Sequence, residues 1–274
     1  MATDRRLRRE IWRYKAVARV TARSRGEEAL ARRGFLLWRL GELLFESGRV
    51  EEAVRYAAQA ATVLEDLPTW HALAMHARAR QGIGLYTLGR LEESLAVLDE
   101  VIVSRELVPE LLDGARPELR GMRLPDAIAG ALAGKVFTLE RLGRRDEADA
   151  IADILIDEFD PGMTQEQRLF VAKAFLRRGR FARLRGEVDI AMTALDDALS
   201  RGSEVANADF AQVVSEALIE QGLLLEVVGR NDEALAAFDE VVRRFGSASE
   251  PWLQEAVGNA VRSRTRLTSH PDEN

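Results

Sequence analysis

The 274-residue sequence contains no cysteine, which excludes a disulfide framework, a thiolate metal site and a cysteine nucleophile. Histidine is almost as scarce: His71, His76 and His270 are the three. The five-residue step between the first two does not put them on one helical face, as paired metal ligands require. Aromatic residues make up 6% of the chain, and β-branched runs are few, so sheets have little to build on. No run approaches eighteen apolar residues, and the first residues are charged where a secretory leader is apolar. With 47% hydrophobic and 31% charged residues, the chain is expected to be a soluble, cytoplasmic protein with a large core. Lysine occurs only as Lys15, Lys135 and Lys173, leaving arginine to carry nearly all the positive charge. Alanine, leucine and arginine are abundant, which predicts a chain made almost entirely of helix.

What is present is a recurring turn. Gly48-Arg49-Val50-Glu51-Glu52-Ala53, Gly89-Arg90-Leu91-Glu92-Glu93-Ser94, Gly143-Arg144-Arg145-Asp146-Glu147-Ala148, Gly186-Glu187-Val188-Asp189-Ile190-Ala191 and Gly229-Arg230-Asn231-Asp232-Glu233-Ala234 each separate two apolar helical stretches. Glycine permits the left-handed backbone that ends a helix, and the acidic residues behind it suit the positive first turn of the next. The glycines lie 41, 54, 43 and 43 residues apart, a period near 42 with one interruption. Seven residues before four of them stands a second glycine, Gly41, Gly82, Gly179 or Gly222, with Val136 at that place in the third unit. Five residues after each comes Ala53, Ser94, Ala148, Ala191 or Ala234. Small residues at both offsets let the two helices of a pair approach closely.

These small residues around a turn resemble the tetratricopeptide repeat (TPR), and Gly222 to Phe238 through Leu225, Gly229, Glu233 and Ala234 is the best copy. The resemblance covers roughly residues 34–246. The period departs from the usual ~34 residues, and Arg78 and Gln81 stand where large apolar residues are expected. The resemblance implies an all-α, right-handed α-solenoid of five TPR-like helical hairpins. Pairs are predicted at 34–47/50–66, 69–88/91–104, 124–142/145–158, 165–185/188–200 and 207–228/231–245. Pro68, Pro109, Pro161 and Pro251 mark the borders. Residues 1–33, with Leu7, Ile11, Tyr14 and Ala18 at helical spacing, form a basic N-terminal cap. Residues 247–274 form a C-terminal cap and tail, with Trp252, Leu253, Ala256, Val257 and Ala260 as its stripe. The whole is read as one domain with an inserted loop near 106–123, which includes a short helical turn at 109–112.

Nothing in the sequence assembles a catalytic centre. The pairs Glu51-Glu52, Glu92-Glu93, Asp196-Asp197 and Asp232-Glu233 mostly recur at first turns, where the helix dipole accounts for them. Asp153, Asp157, Glu158 and Asp160 lack the glycine and oxygen-ligand spacing of a calcium loop. Gly82-Ile83-Gly84 lies inside a helix, with no strand before it to make a nucleotide-binding turn. The expectation is a non-enzymatic chain with no cofactor and no bound metal.

Charge is unevenly placed. Residues 1–33 hold eleven basic and four acidic side chains, a net +7, against −6 for the whole chain, which leaves −13 for residues 34–274. Such a basic end suits the chain's own acidic body, an acidic protein partner or, ranking behind these, nucleic acid or an anionic membrane. Trp12 and Tyr14 fit either base stacking or an apolar staple.

In TPR domains the first helices of successive pairs line a concave groove. By that resemblance the partner-binding candidates are Phe35, Trp38 and Phe45 in the first unit, His76 and Tyr86 in the second, and Lys173, Arg177, Arg180 and Arg183 in the fourth. Glu42, Ile83, Phe137, Glu140, Leu176, Glu216, Ile219, Leu223 and Glu226 share these faces. Lys173, Arg177 and Arg180 stand at i, i+4 and i+7 and point to one side. Lys173 and Arg177 match the lysine–arginine spacing with which some TPR proteins hold a peptide carboxylate, while Ile83 and Phe137 replace the companion asparagines. The implied function is protein–protein interaction with an extended peptide, a partner helix or another copy of the chain. The alternatives are a sensor or adaptor acting on a signalling or transcription partner, as in bacterial regulators, and nucleic-acid binding through residues 5–33.

Overall fold

A computed structural model describes residues 2–21, 26–104, 123–159, 164–203 and 207–269. The predicted insertion at 106–123 lies outside the described residues except for Arg123, and so do the turn at 109–112, Pro161 and His270. Among the described residues there are twelve α helices and no strand. They are α1 (Ala2–Val20), α2 (Glu27–Glu46), α3 (Val50–Leu64), α4 (His71–Thr87), α5 (Leu91–Val103), α6 (Leu124–Arg141), α7 (Arg145–Phe159), α8 (Gln165–Arg185), α9 (Val188–Ser203), α10 (Ala208–Val227), α11 (Asn231–Phe245) and α12 (Pro251–Ser269). Helix α2 runs unbroken from Glu27, so the boundary drawn at 33/34 falls inside it.

The five turn glycines have φ of 73°, 77°, 76°, 77° and 75°, a conformation open to glycine and strained for other residues. Each turn closes with the same two bonds. At the first, the Gly48 amide donates to the Phe45 carbonyl at 3.0 Å and the Arg49 amide to the Leu44 carbonyl at 2.9 Å; the same pair recurs at Gly89, Gly143, Gly186 and Gly229. These Schellman motifs satisfy carbonyls that a helix end otherwise leaves open. At four of the five turns the next residue is an arginine that turns back to grip the third residue of the next helix; after Gly186 it is Glu187. Arg90 with Glu93, Arg144 with Glu147 and Arg230 with Glu233 are bidentate pairs at 2.5–2.7 Å, and Arg49 with Glu52 repeats the arrangement.

Those arginines hold their glutamates below the ordinary carboxylate range, with Lys15 the larger influence on Glu52. Glu240 is lowered to about 2 by Arg243 and Arg244. A carboxylate depressed on folding stabilises the folded state above its ordinary value and loses that contribution as pH falls through its folded value. The urea midpoint is therefore expected to fall between about pH 4.5 and pH 2, and high salt to flatten the decline because the pairs are exposed. Asp153, which burial raises, works against the trend. A midpoint constant over that window would remove these pairs from the stability of the fold.

The described residues divide into two compact units, Met1–Ala148 and Asp149–Asn274, with the division inside α7. In the first unit α1 lies on α2. Ile11, 3% exposed, joins Leu40, Leu43, Leu44 and Ala53, and Leu7, Tyr14, Phe45 and Tyr56 pack around them. Lys15 fixes the register by donating to Glu52 at 2.7 Å. Helix α4 touches both α2 and α6, while α3 packs on α4 and α5 on both α4 and α6. Ser94 donates to the Gly82 carbonyl at 2.8 Å and lies 3.2 Å from the Thr138 hydroxyl, which donates to the Gly134 carbonyl at 2.7 Å. These bonds satisfy two fully buried hydroxyls where three helices meet.

In the second unit α8 packs on α9 and α10, and α10 also packs on α9, α11 and α12. Phe238, Val241, Val214, Leu218 and Leu225 form its core with Ala260 of α12, against which Val257 and Leu267 also pack. Leu253, Ala256 and Ala260 are buried, so the stripe read from the sequence is the face by which α12 closes this end.

Candidate functional site

The first helices of the first unit, α2, α4 and α6, bring aromatic side chains together without burying them. Tyr86 of α4 and Phe137 of α6 lie 6.4 Å apart between ring centroids, both half-buried. The Arg141 guanidinium sits 4.9 Å from the Tyr86 ring and donates to the Tyr86 carbonyl at 2.9 Å. On the α2 side, Arg80 of α4 pairs with Glu42 at 2.8 Å while lying 5.7 Å from the Phe45 ring. Gly84 allows this approach, since a Cβ there would meet Val54 at 2.4 Å and Phe45 at 3.2 Å.

The other candidates of this unit are partly spoken for. Phe35 and Trp38 form a tilted pair at 5.7 Å, and Trp38 packs against a cluster of Ala18, Leu37, Ala60, Ala61 and Ala77. Phe45 packs against the cluster that receives α1. His76 lies 3.1 Å from the Arg123 carbonyl. A carbonyl only accepts, so Nε2 carries the proton, and burial lowers the ring's pKa, which favours that neutral form.

In the second unit the basic row of α8 is matched by an acidic row on α10. Arg183 donates to Glu220 at 2.7 Å, and Arg180 lies 3.4 Å from the same carboxylate. Arg177 lies 4.0 Å from Glu216, which also accepts from Gln212 at 2.8 Å. Burial lowers the pKa of Lys173, opposed by Asp209 and Glu216. The row seen from the sequence as a patch for acidic ligands thus faces carboxylates of its own chain. Reversing Arg183 to glutamate is expected to cost on the order of 1 kcal/mol, because it sets two carboxylates together, and adding Glu220→Arg is expected to restore most of the loss. Urea melts of the two singles and the double measure it; additive losses would mean that the pair does not couple.

A separate open cleft of about 440 Å³ lies among Gly202, Asn207, Ala211, Val214, Phe245 and Leu253. It contains none of the residues proposed from the sequence. Among the described residues, no group of three or more histidine, aspartate or glutamate side chains is placed to hold a metal ion, and no helix is long and apolar enough to cross a membrane.

No protein-family model matches the sequence, and no curated protein matches it. Solved structures do. BtubC (BKLC) from P. vanneervenii superposes with a TM-score of 0.61 at 14% identity, over 98% of this chain and 95% of that one. The apo form of RapI gives 0.63 at 11% identity, over 97% and 72%. The fold is a tetratricopeptide-like helical repeat. At such identities the likeness concerns the path of the backbone, and no side-chain role passes from either structure to this one.

Within the TPR-like frame, residues at one offset from the turn glycine occupy equivalent places. Three before it stand Phe45, Tyr86, Glu140, Arg183 and Glu226; six before it stand Glu42, Ile83, Phe137, Arg180 and Leu223. Three side chains that organise these faces escaped the sequence reading, namely Arg80, Arg141 and Glu220. Glu220 was within reach: it stands nine before Gly229, as Arg177 stands nine before Gly186, so one offset carries opposite charges on successive first helices. Arg141 gave no such signal, because its partners are a carbonyl and a ring on another helix.

Proposed function

We propose that this chain is a non-enzymatic protein-interaction module, and that its principal site is the aromatic face of α2, α4 and α6 in the first unit. The observation that carries this reading is the half-buried Tyr86–Phe137 pair with Ile83 beside it. Aromatic and apolar groups left part-exposed on adjacent first helices offer anchors for a partner's apolar side chains. The occupant is an extended peptide, a helix or another copy of the chain. The basic row Lys173, Arg177, Arg180 and Arg183 adds at most a salt-sensitive preference for acidic ligands, since a carboxylate arriving there displaces Glu216 or Glu220. His76, tied to the Arg123 carbonyl, shapes one end of the aromatic face.

The reading is tested by capture from the cell of origin with the intact chain, with Phe137→Glu and with Ile190→Glu. Ile190 is 48% exposed in the second unit and serves as the control. Proteins retained by the intact chain and by Ile190→Glu are expected to be lost with Phe137→Glu, while circular dichroism stays unchanged. Equal retention by all three would place the site elsewhere.

A further inference from the structure

We propose that the solvent side of α1 is a second docking surface, shaped for a short acidic amphipathic helix of a partner protein. The inner side of this helix is committed to the fold through Leu7, Ile11, Tyr14 and Ala18. The outer side carries Trp12, 71% exposed, and Val20, 81% exposed, with Ala16 between them. Steps of four residues align the three as one ridge about 12 Å long. Arg9 and Arg13 border the ridge on one side and Arg8 and Arg19 on the other, all exposed.

Elsewhere the arginines after four of the turns are pinned to glutamates, and Arg177, Arg180 and Arg183 of α8 face Glu216 and Glu220 of α10. Arg9, Arg13 and Arg19 have no ion-pair partner among the described residues. Trp12 joins no core cluster among the described residues either. A tryptophan left in water beside Arg9, Arg13 and Arg19 fits an occupant that supplies an apolar strip flanked by carboxylates.

Charge distribution favours a short protein helix over a long polyanion. Exposed Glu27, Glu28 and Glu51 stand on the helices beneath α1. A nucleic acid or a membrane extends beyond the roughly 28 Å of α1 and brings its own negative charge against these groups. A helix of about three turns laid along the ridge keeps its carboxylates beside the arginines.

The test uses the full-length chain and four probes: a synthetic helical peptide with leucine every fourth residue flanked by glutamate, the same peptide with glutamine for glutamate, a thymidine oligonucleotide, and phosphatidylserine vesicles. The glutamate peptide is expected to bind, to shield Trp12 from a fluorescence quencher with Trp12→Phe as the blank, and to weaken at least about tenfold in high salt. Trp12→Ala and the double variant Arg9→Gln with Arg13→Gln are expected to lose a similar factor with thermal midpoints unchanged, because these side chains are exposed. Phe137→Glu is expected to leave this binding intact, which separates it from the aromatic face. Binding of the oligonucleotide or the vesicles in preference to the glutamate peptide overturns the proposal in favour of a polyanion. Equal binding of both peptides, or no binding by any probe, overturns it as well.

Discussion

Replacing Gly222 with leucine is expected to lower the stability of the chain by about 2–3 kcal/mol, whereas Gly41→Ala, at the same place in the first pair, is expected to be neutral or to gain up to about 1 kcal/mol. The difference lies in what each position faces. A Cβ at Gly222 would sit 2.6 Å from Cε1 and 2.7 Å from Cζ of Phe238, a ring that is 0% exposed and has nowhere to move. At Gly41 the nearest atoms are the Ala53 carbonyl at 3.5 Å and the Ala57 amide nitrogen at 3.6 Å, ordinary contacts, so alanine contributes its better helix propensity at little steric cost. Combining Gly222→Leu with Phe238→Ala, which alone costs about 3–5 kcal/mol, is expected to lose much less than the two single changes together. Urea midpoints decide it. A harmless Gly222→Leu would mean that α10 and α11 do not pack at this distance.

Removing residues 1–21 is expected to convert a well-behaved protein into one that binds hydrophobic dyes and aggregates. Leu40, Leu43 and Leu44, at most 1% exposed in the intact chain, would meet water directly, and a repeat that loses its cap exposes the face its neighbour covered. Ile11→Ala in the full chain isolates one contact and is expected to cost about 2–4 kcal/mol. Dye binding and light scattering of the truncation, read beside the melt of Ile11→Ala, check this. A truncation that stays monomeric and equally stable would make α1 a detachable arm.

Much of the fold was legible because its grammar is local. A glycine with positive φ, a small residue seven before it and another five after it are constraints within one hairpin, so Gly48, Gly89, Gly143, Gly186 and Gly229 located the turns, and Ala53, Ser94, Ala148, Ala191 and Ala234 the contacts. The apolar stripe of α1 was equally visible, but the start of α2 at Glu27 was not, because Gly26 offered only a weak stop between two helical stretches. The sites were harder to read. Lys173, Arg177, Arg180 and Arg183 share one helix face, as their spacing requires, yet what they do depends on Glu216 and Glu220 one repeat away. Trp12 shows the same limit: its position on α1 is periodic, but its exposure depends on which face α2 takes up.

The most direct measurement of the proposed interaction face is site-specific photo-crosslinking in living cells, with a photoreactive phenylalanine analogue placed at position 137 in one strain and at position 190 in another. Protein adducts at position 137, absent at position 190 and abolished by Ile83→Glu in the same chain, are the expected result. Adducts of equal yield at both positions, or none at position 137 while the chain is folded and abundant, would contradict the assignment of that face.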